Sequence, residues 1–132
     1  MRHILLSALV LFALPATAQT TIPVQFERGT DSATLSGSII GDEYTDYVLG
    51  ARAGQQMNVG LSVEGTNGSG TVYFNILPPG SDGYAIYNGS IDGNDAFIEL
   101  PENGDYTIRV YHMGNDRDTG KTSGFRLGVG IK

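Results

Sequence analysis

The sequence predicts an all-β protein, an antiparallel β-sandwich of eight or nine short strands, jelly-roll-like in plan. Two observations carry this most directly. Alternating apolar and polar runs recur along the chain, separated by turn signals at roughly the 8–12-residue spacing of sandwiches. No window after the N-terminal segment has a helical period, so a parallel βαβ fold has nowhere to place its crossover helices. Composition agrees. The 19 glycines fall in and around turns, with neither a collagen repeat nor a linker pattern.

The N-terminal segment stands apart. Arg2 and His3 open the chain, Ile4 to Leu14 is apolar, and Ala16-Thr17-Ala18 has the small-x-small form of a cleavage site. This is the pattern of a secretory signal peptide. The apolar run is too short to span a bilayer as a helix. Cleavage after Ala18 would remove 18 of the 132 residues and leave a single domain over 19–132. No later segment could cross a membrane, so the expected address is the periplasm, or free secretion. The chain has no cysteine, which excludes disulfides, thiolate metal sites and a lipid-anchored cysteine.

The strands follow in order. Pro23 to Glu27 reads as a short strand, with Pro23 at its start where a missing N–H does least harm. Ala33 to Ile39 sets Leu35, Gly37 and Ile39 on one face, with Gly37 marking a bulge or close packing. Gly41-Asp42-Glu43 is a turn into Tyr44 to Ala51. Gln56 to Val63 alternates, with Met57, Val59, Leu61 and Val63 inward. Glu64 to Gly70 is a Gly, Ser and Asn connection. Thr71 to Leu77 points Val72, Phe74 and Ile76 one way, and Pro78-Pro79-Gly80 ends it. A short strand is expected around Tyr84 to Tyr87. Ala96, Ile98 and Leu100 then alternate toward Pro101.

The last two strands are read as a hairpin at the heart of the sandwich. Asn103-Gly104 is a turn signal, and Tyr106, Ile108 and Val110 share one face while Thr107, Arg109 and Tyr111 share the other. Gly114 to Lys121 (GNDRDTGK) is the polar tip, and Phe125 to Ile131 returns. Pro-Glu-Asn-Gly-Asp-Tyr before the strand has the form of a tyrosine corner, in which the Tyr106 phenol bonds backbone a few residues upstream.

Signals for chemistry are sparse. After the N-terminal segment the one histidine is His112, at the end of its strand on the core face. Spacing nominates neither a nucleophile nor an orienting partner for it, so it reads as a satisfied boundary residue. Acidic groups occur at Asp42-Glu43-Asp46, Asp92 to Asp95 and Asp116 to Asp118. Calcium takes such oxygen ligands, but none of these has EF-hand spacing, and the same residues populate ordinary turns. A glycosidase pair would need two carboxylates converging in one cleft. No cofactor is expected. The formal charge is −6, or −7 without Arg2. That excludes a nucleic-acid footprint and suits either plain solubility or a basic partner. The tip differs from the other turns by carrying Arg117 and Lys121. It is either a solvated hairpin end or a polar loop on rigid strands able to enter a partner's groove.

Several segments together resemble the bacterial periplasmic inhibitors of g-type lysozyme: QFERGTDSATLSGSIIGDEYTDY, ARAGQQMNV, LPENGDYTIRVYHMGNDRDTGK and LGVGIK. The likeness runs over nearly the whole chain after Ala18. The scaffold is also similar to pre-peptidase C-terminal-like sandwiches. The inhibitor resemblance implies a non-enzymatic protein that inserts loops into a lysozyme cleft. It implies partner contacts at Asp42, Tyr44, Asn115, Asp116, Arg117 and Asp118. Tyr44, Asn115 and Asp116 match the family pattern. Asp42 stands where that pattern has an aromatic, Gly114 and Asp118 stand where it has arginines, and Arg117 is one residue away from an expected arginine. The alternative is a periplasmic binding or structural module on the same scaffold, for glycan or another envelope protein.

Overall fold

A computed structural model describes residues 19–132, so the signal-peptide reading lies outside the described residues. Among the described residues, nine strands and two single helical turns follow one another: β1 (Gln19–Pro23), β2 (Ser32–Ile40), β3 (Tyr44–Ala51), β4 (Gln56–Thr66), β5 (Val72–Leu77), β6 (Tyr87–Asn88), α1 (Gly89–Asp92), β7 (Asp95–Glu99), β8 (Gly104–His112), α2 (Gly114–Asp118) and β9 (Thr122–Ile131). They form two sheets, β1-β3-β8-β5-β6 and β2-β9-β4-β7. The predicted sandwich is therefore what folds.

The period of two builds the core. From the first sheet, Tyr47, Leu49, Phe74, Ile76, Tyr106, Ile108 and Val110 turn inward. From the second come Ile39, Met57, Val59, Leu61, Phe125, Leu127 and Val129. Tyr47 and Phe125 meet edge to face between the sheets, with centroids 6.3 Å apart. Gly37 reaches this point too. A Cβ there would lie 2.6 Å from the Phe125 ring and 2.8 Å from the Tyr47 hydroxyl, so close packing, rather than a bulge, explains the glycine.

Four expectations need correction. The C-terminal hairpin does not exist, because β8 and β9 belong to different sheets and Gly114–Lys121 carries the chain across the end of the sandwich. The first strand ends at Pro23 instead of beginning there, and it pairs in parallel with β3. All five of its residues are exposed, so no burial alternation marks it. Its return passes through β2 in the facing sheet, which supplies the crossover that a helix usually provides. Val63 keeps the inward phase opposite the buried Phe125, but it is 37% exposed instead of buried, at the margin of the core just before the β4–β9 register shifts. Around Tyr84 to Tyr87 only Tyr87–Asn88 is strand, and Tyr84 is exposed.

Candidate functional site

One end of the sandwich gathers the β2–β3 turn, the Asn67–Thr71 loop and the β8–β9 crossing. The β2–β3 turn is closed locally. The Glu43 carboxylate accepts from the Ile40 N–H at 3.1 Å, and the Glu43 N–H donates to the Ile40 carbonyl at 3.0 Å. Gly41 has φ +57°, and a Cβ there would sit 3.1 Å from the Gly120 backbone. That closeness lets the Gly41 N–H donate to the Lys121 carbonyl at 2.8 Å. The two segments that the resemblance singles out thus lie side by side.

Two buried polar residues hold this end together. The Asp116 carboxylate accepts from the Ser69 N–H and the Thr71 N–H, both at 2.9 Å, and from the Thr71 hydroxyl at 2.8 Å. These donors favour the anion and lower its pKa from the ordinary 3.8 to about 2, chiefly through the two backbone bonds. His112 is also buried. Its Nδ1 lies 3.0 Å from the Gly41 carbonyl and its Nε2 lies 2.8 Å from the Ser123 hydroxyl. A carbonyl can only accept, so in the neutral ring Nδ1 carries the proton and Nε2 accepts from Ser123. Ser123 Oγ is 2.9 Å from Thr66 Oγ1 at the end of β4, and Thr66 Oγ1 accepts from the Gly68 N–H at 3.0 Å, which completes the link to the third loop.

The structure sorts the six predicted contact residues. Asp42, Asn115, Arg117 and Asp118 are exposed and Tyr44 is half-buried. Arg117 Nε donates to Asp118 Oδ1 at 2.9 Å, an exposed pair of small energetic weight. Asp116 is different, because it is fully buried. It anchors the crossing and presents no surface. An open groove of about 860 Å³ runs between Asp42–Glu43 and Arg117–Asp118. A second, of about 360 Å³, joins Asp42, Tyr44 and Arg117 to Asn75, Arg109 and Tyr111 on the outer face of the first sheet.

Sequence reasoning gave Arg109 a face but no role, and weighed Asp46 only as part of an acidic group. Arg109 donates to both carboxylate oxygens of Asp46, at 2.8 and 3.0 Å, and its guanidinium lies 4.3 Å from the Tyr44 ring centroid. Alternation put Arg109 on the outer face, but only the β3–β8 register sets it opposite Asp46. As for chemistry, His112 and Ser123 form the one close His–Ser pair among the described residues, and both are buried and already bonded within the fold. The Tyr106 phenol bonds Glu102 backbone on both sides, as a tyrosine corner requires.

No protein-family model matches the chain. An inhibitor of g-type lysozyme from Escherichia coli is 31% identical over 129 residues, covering 96% of this chain and 94% of that protein. A periplasmic lysozyme inhibitor of g-type lysozyme from Aeromonas hydrophila, known as a crystal structure, is 36% identical with a TM-score of 0.77. That match covers 86% of this chain and 97% of the other. The pre-peptidase C-terminal domain of a Bacillus anthracis collagenase superposes at TM-score 0.58 and 17% identity, over 86% of this chain and 94% of the other, a likeness of fold alone.

Proposed function

The chain belongs to the family of inhibitors of g-type lysozyme, and from that premise we propose that it is a periplasmic inhibitor that blocks a g-type lysozyme by occupying its substrate cleft. It does this without chemistry of its own. The observation that carries the reading is the joining of two segments at one end of the sandwich. The turn with Asp42 and Tyr44 and the crossing with Asn115, Arg117 and Asp118 are tied by the Gly41–Lys121 bond and by His112. Both segments are thereby presented as one preset surface, which lowers the ordering cost of binding. Arg117 serves as the cation of that surface in place of the arginines of the family pattern. Asp116 contributes by holding the crossing in shape. Residues 1–18 carry the signal-peptide pattern that directs export and are removed in the mature protein.

The test is inhibition of cell-wall lysis by purified g-type lysozyme, with c- and i-type enzymes in parallel. The chain beginning at Gln19 is expected to inhibit the g-type enzyme, and Arg117→Ala to weaken inhibition by roughly tenfold or more, since a desolvated arginine at an interface is worth about 1.4 kcal/mol or above. Unimpaired lysis at high micromolar inhibitor would overturn the proposal and favour a binding module for another envelope partner.

A further inference from the structure

Arg109 lies outside both loops, in the middle of β8, yet it is in contact with one of the proposed contact residues. Its Nε and one terminal nitrogen grip the two oxygens of Asp46, its partner across the β3–β8 ladder. The other terminal nitrogen donates to the Asp82 carbonyl at 3.3 Å. Its guanidinium lies over the Tyr44 ring, with Cζ 4.3 Å from the centroid. Asp46 is only 4% exposed, so the fork is held from below by a carboxylate that has little room to move.

We propose that Arg109 is a positioning residue for lysozyme binding, one that sets the orientation in which the Tyr44 ring meets the enzyme. The proposal rests on the reading of Tyr44 as a contact residue. The other tie on Tyr44 is weak, a 3.3 Å bond from its phenol to the Gln19 side chain. The stacked guanidinium is therefore the firmer constraint on the ring. The neighbouring ring has its own anchor, since the Tyr111 phenol donates to Asn75 Oδ1 at 2.7 Å. Register sets Tyr44, Tyr111 and Tyr73 abreast on β3, β8 and β5. The loop surface thus runs on into an aromatic strip, and Arg109 governs the end of the strip where loop and strip join. Tyrosine and arginine are the residue types that interface centres favour.

A plainer role, neutralising Asp46, predicts different results. Arg109→Lys keeps a cation beside Asp46 but loses the planar face and the fork. Two readouts apply: the Tyr44 ring resonances of the free protein, and the inhibition constant for g-type lysozyme in wild-type and Tyr44→Ala backgrounds. Arg109→Lys is expected to release the Tyr44 ring with little change in melting temperature. It should weaken inhibition by roughly fivefold to tenfold, and add nothing in the Tyr44→Ala background. Unchanged inhibition in a protein whose wild type inhibits would overturn the proposal. So would additive losses, because Arg109 would then be touching the enzyme itself. If the wild type fails to inhibit at all, the proposed function falls and Arg109's role in lysozyme binding falls with it, whereas a wild type that inhibits with an unaltered Tyr44 signature in Arg109→Lys refutes the positioning alone. Should Arg109→Lys not fold, Asp46→Asn combined with Arg109→Gln removes both charges and is read the same way.

Discussion

Tyr106 is fully buried, and its phenol donates to the Glu102 carbonyl at 2.7 Å while accepting from the Glu102 N–H at 3.0 Å. Tyr106→Phe keeps the ring and removes both bonds to the Glu102 backbone. A loss of about 1–3 kcal/mol is expected, read as a lower urea midpoint with an unchanged slope. An unchanged midpoint would remove the hydroxyl from the stability of the corner. Asp116 gives a prediction with a pH signature. Its folded pKa, about 2, lies below the ordinary 3.8. The carboxylate therefore stabilises the fold above the unfolded value, and the contribution disappears as pH falls from about 4 to about 2. Asp116→Asn should be less stable than wild type at neutral pH, and the gap should close across that window. A gap of constant size down to pH 2 would mean the ion is not what the Ser69 and Thr71 donors select.

The strands and their connections explain which contacts are adjustable. β2 crosses the core edge where Gly37 faces both the Tyr47 and Phe125 side chains, leaving no space for a methyl group. Gly37→Ala is expected to cost about 1–3 kcal/mol by overpacking, seen as a lower melting temperature. An unshifted melt would show that the rings can part without cost. The β8–β9 crossing has no side-chain N-cap on α2. Its shape comes from Asp116 and from His112, which lies at the last position of β8 and reaches back to the Gly41 carbonyl. His112→Ala should loosen the turn from the crossing. Hydrogen exchange at the Gly41 and Lys121 amides would rise, with little change at Ile108 in the middle of β8. Equal exchange at Gly41 before and after substitution would deny His112 that role.

Charge acts on the molecule as a whole. Cleavage after Ala18, as the sequence pattern predicts, would take away Arg2 and bring the formal charge to −7. Toward a basic lysozyme such a field speeds encounter more than it tightens the docked complex. Association rates should therefore fall steeply between low and physiological salt, while dissociation rates change little. Salt sensitivity confined to dissociation would place the electrostatics inside the contact instead. With Arg109 as proposed, the outer face of the first sheet would back the loop tip, which is tied to it through Tyr44.

Much of this protein is written in its residue pattern. Period-two alternation marks Met57 to Leu61, Val72 to Ile76 and Tyr106 to Val110 as core strands because burial on one face leaves a local record. Tyr106 was legible for the same reason, since its partner lies four residues upstream. What only tertiary structure decides is pairing between distant segments. β1 is exposed along its length and takes its place from hydrogen bonds to β3, which no alternation encodes. The same polar string, GNDRDTGK, can close a hairpin or cross between sheets, and the choice rests with the layers that receive β8 and β9. That choice buries Asp116 and leaves Arg117 exposed, although both appear in the sequence as adjacent charges in one polar loop. Arg109 finds Asp46 from 63 residues away through strand register. Local patterning reports which face a residue takes, whereas its neighbour across the ladder is set by long-range pairing.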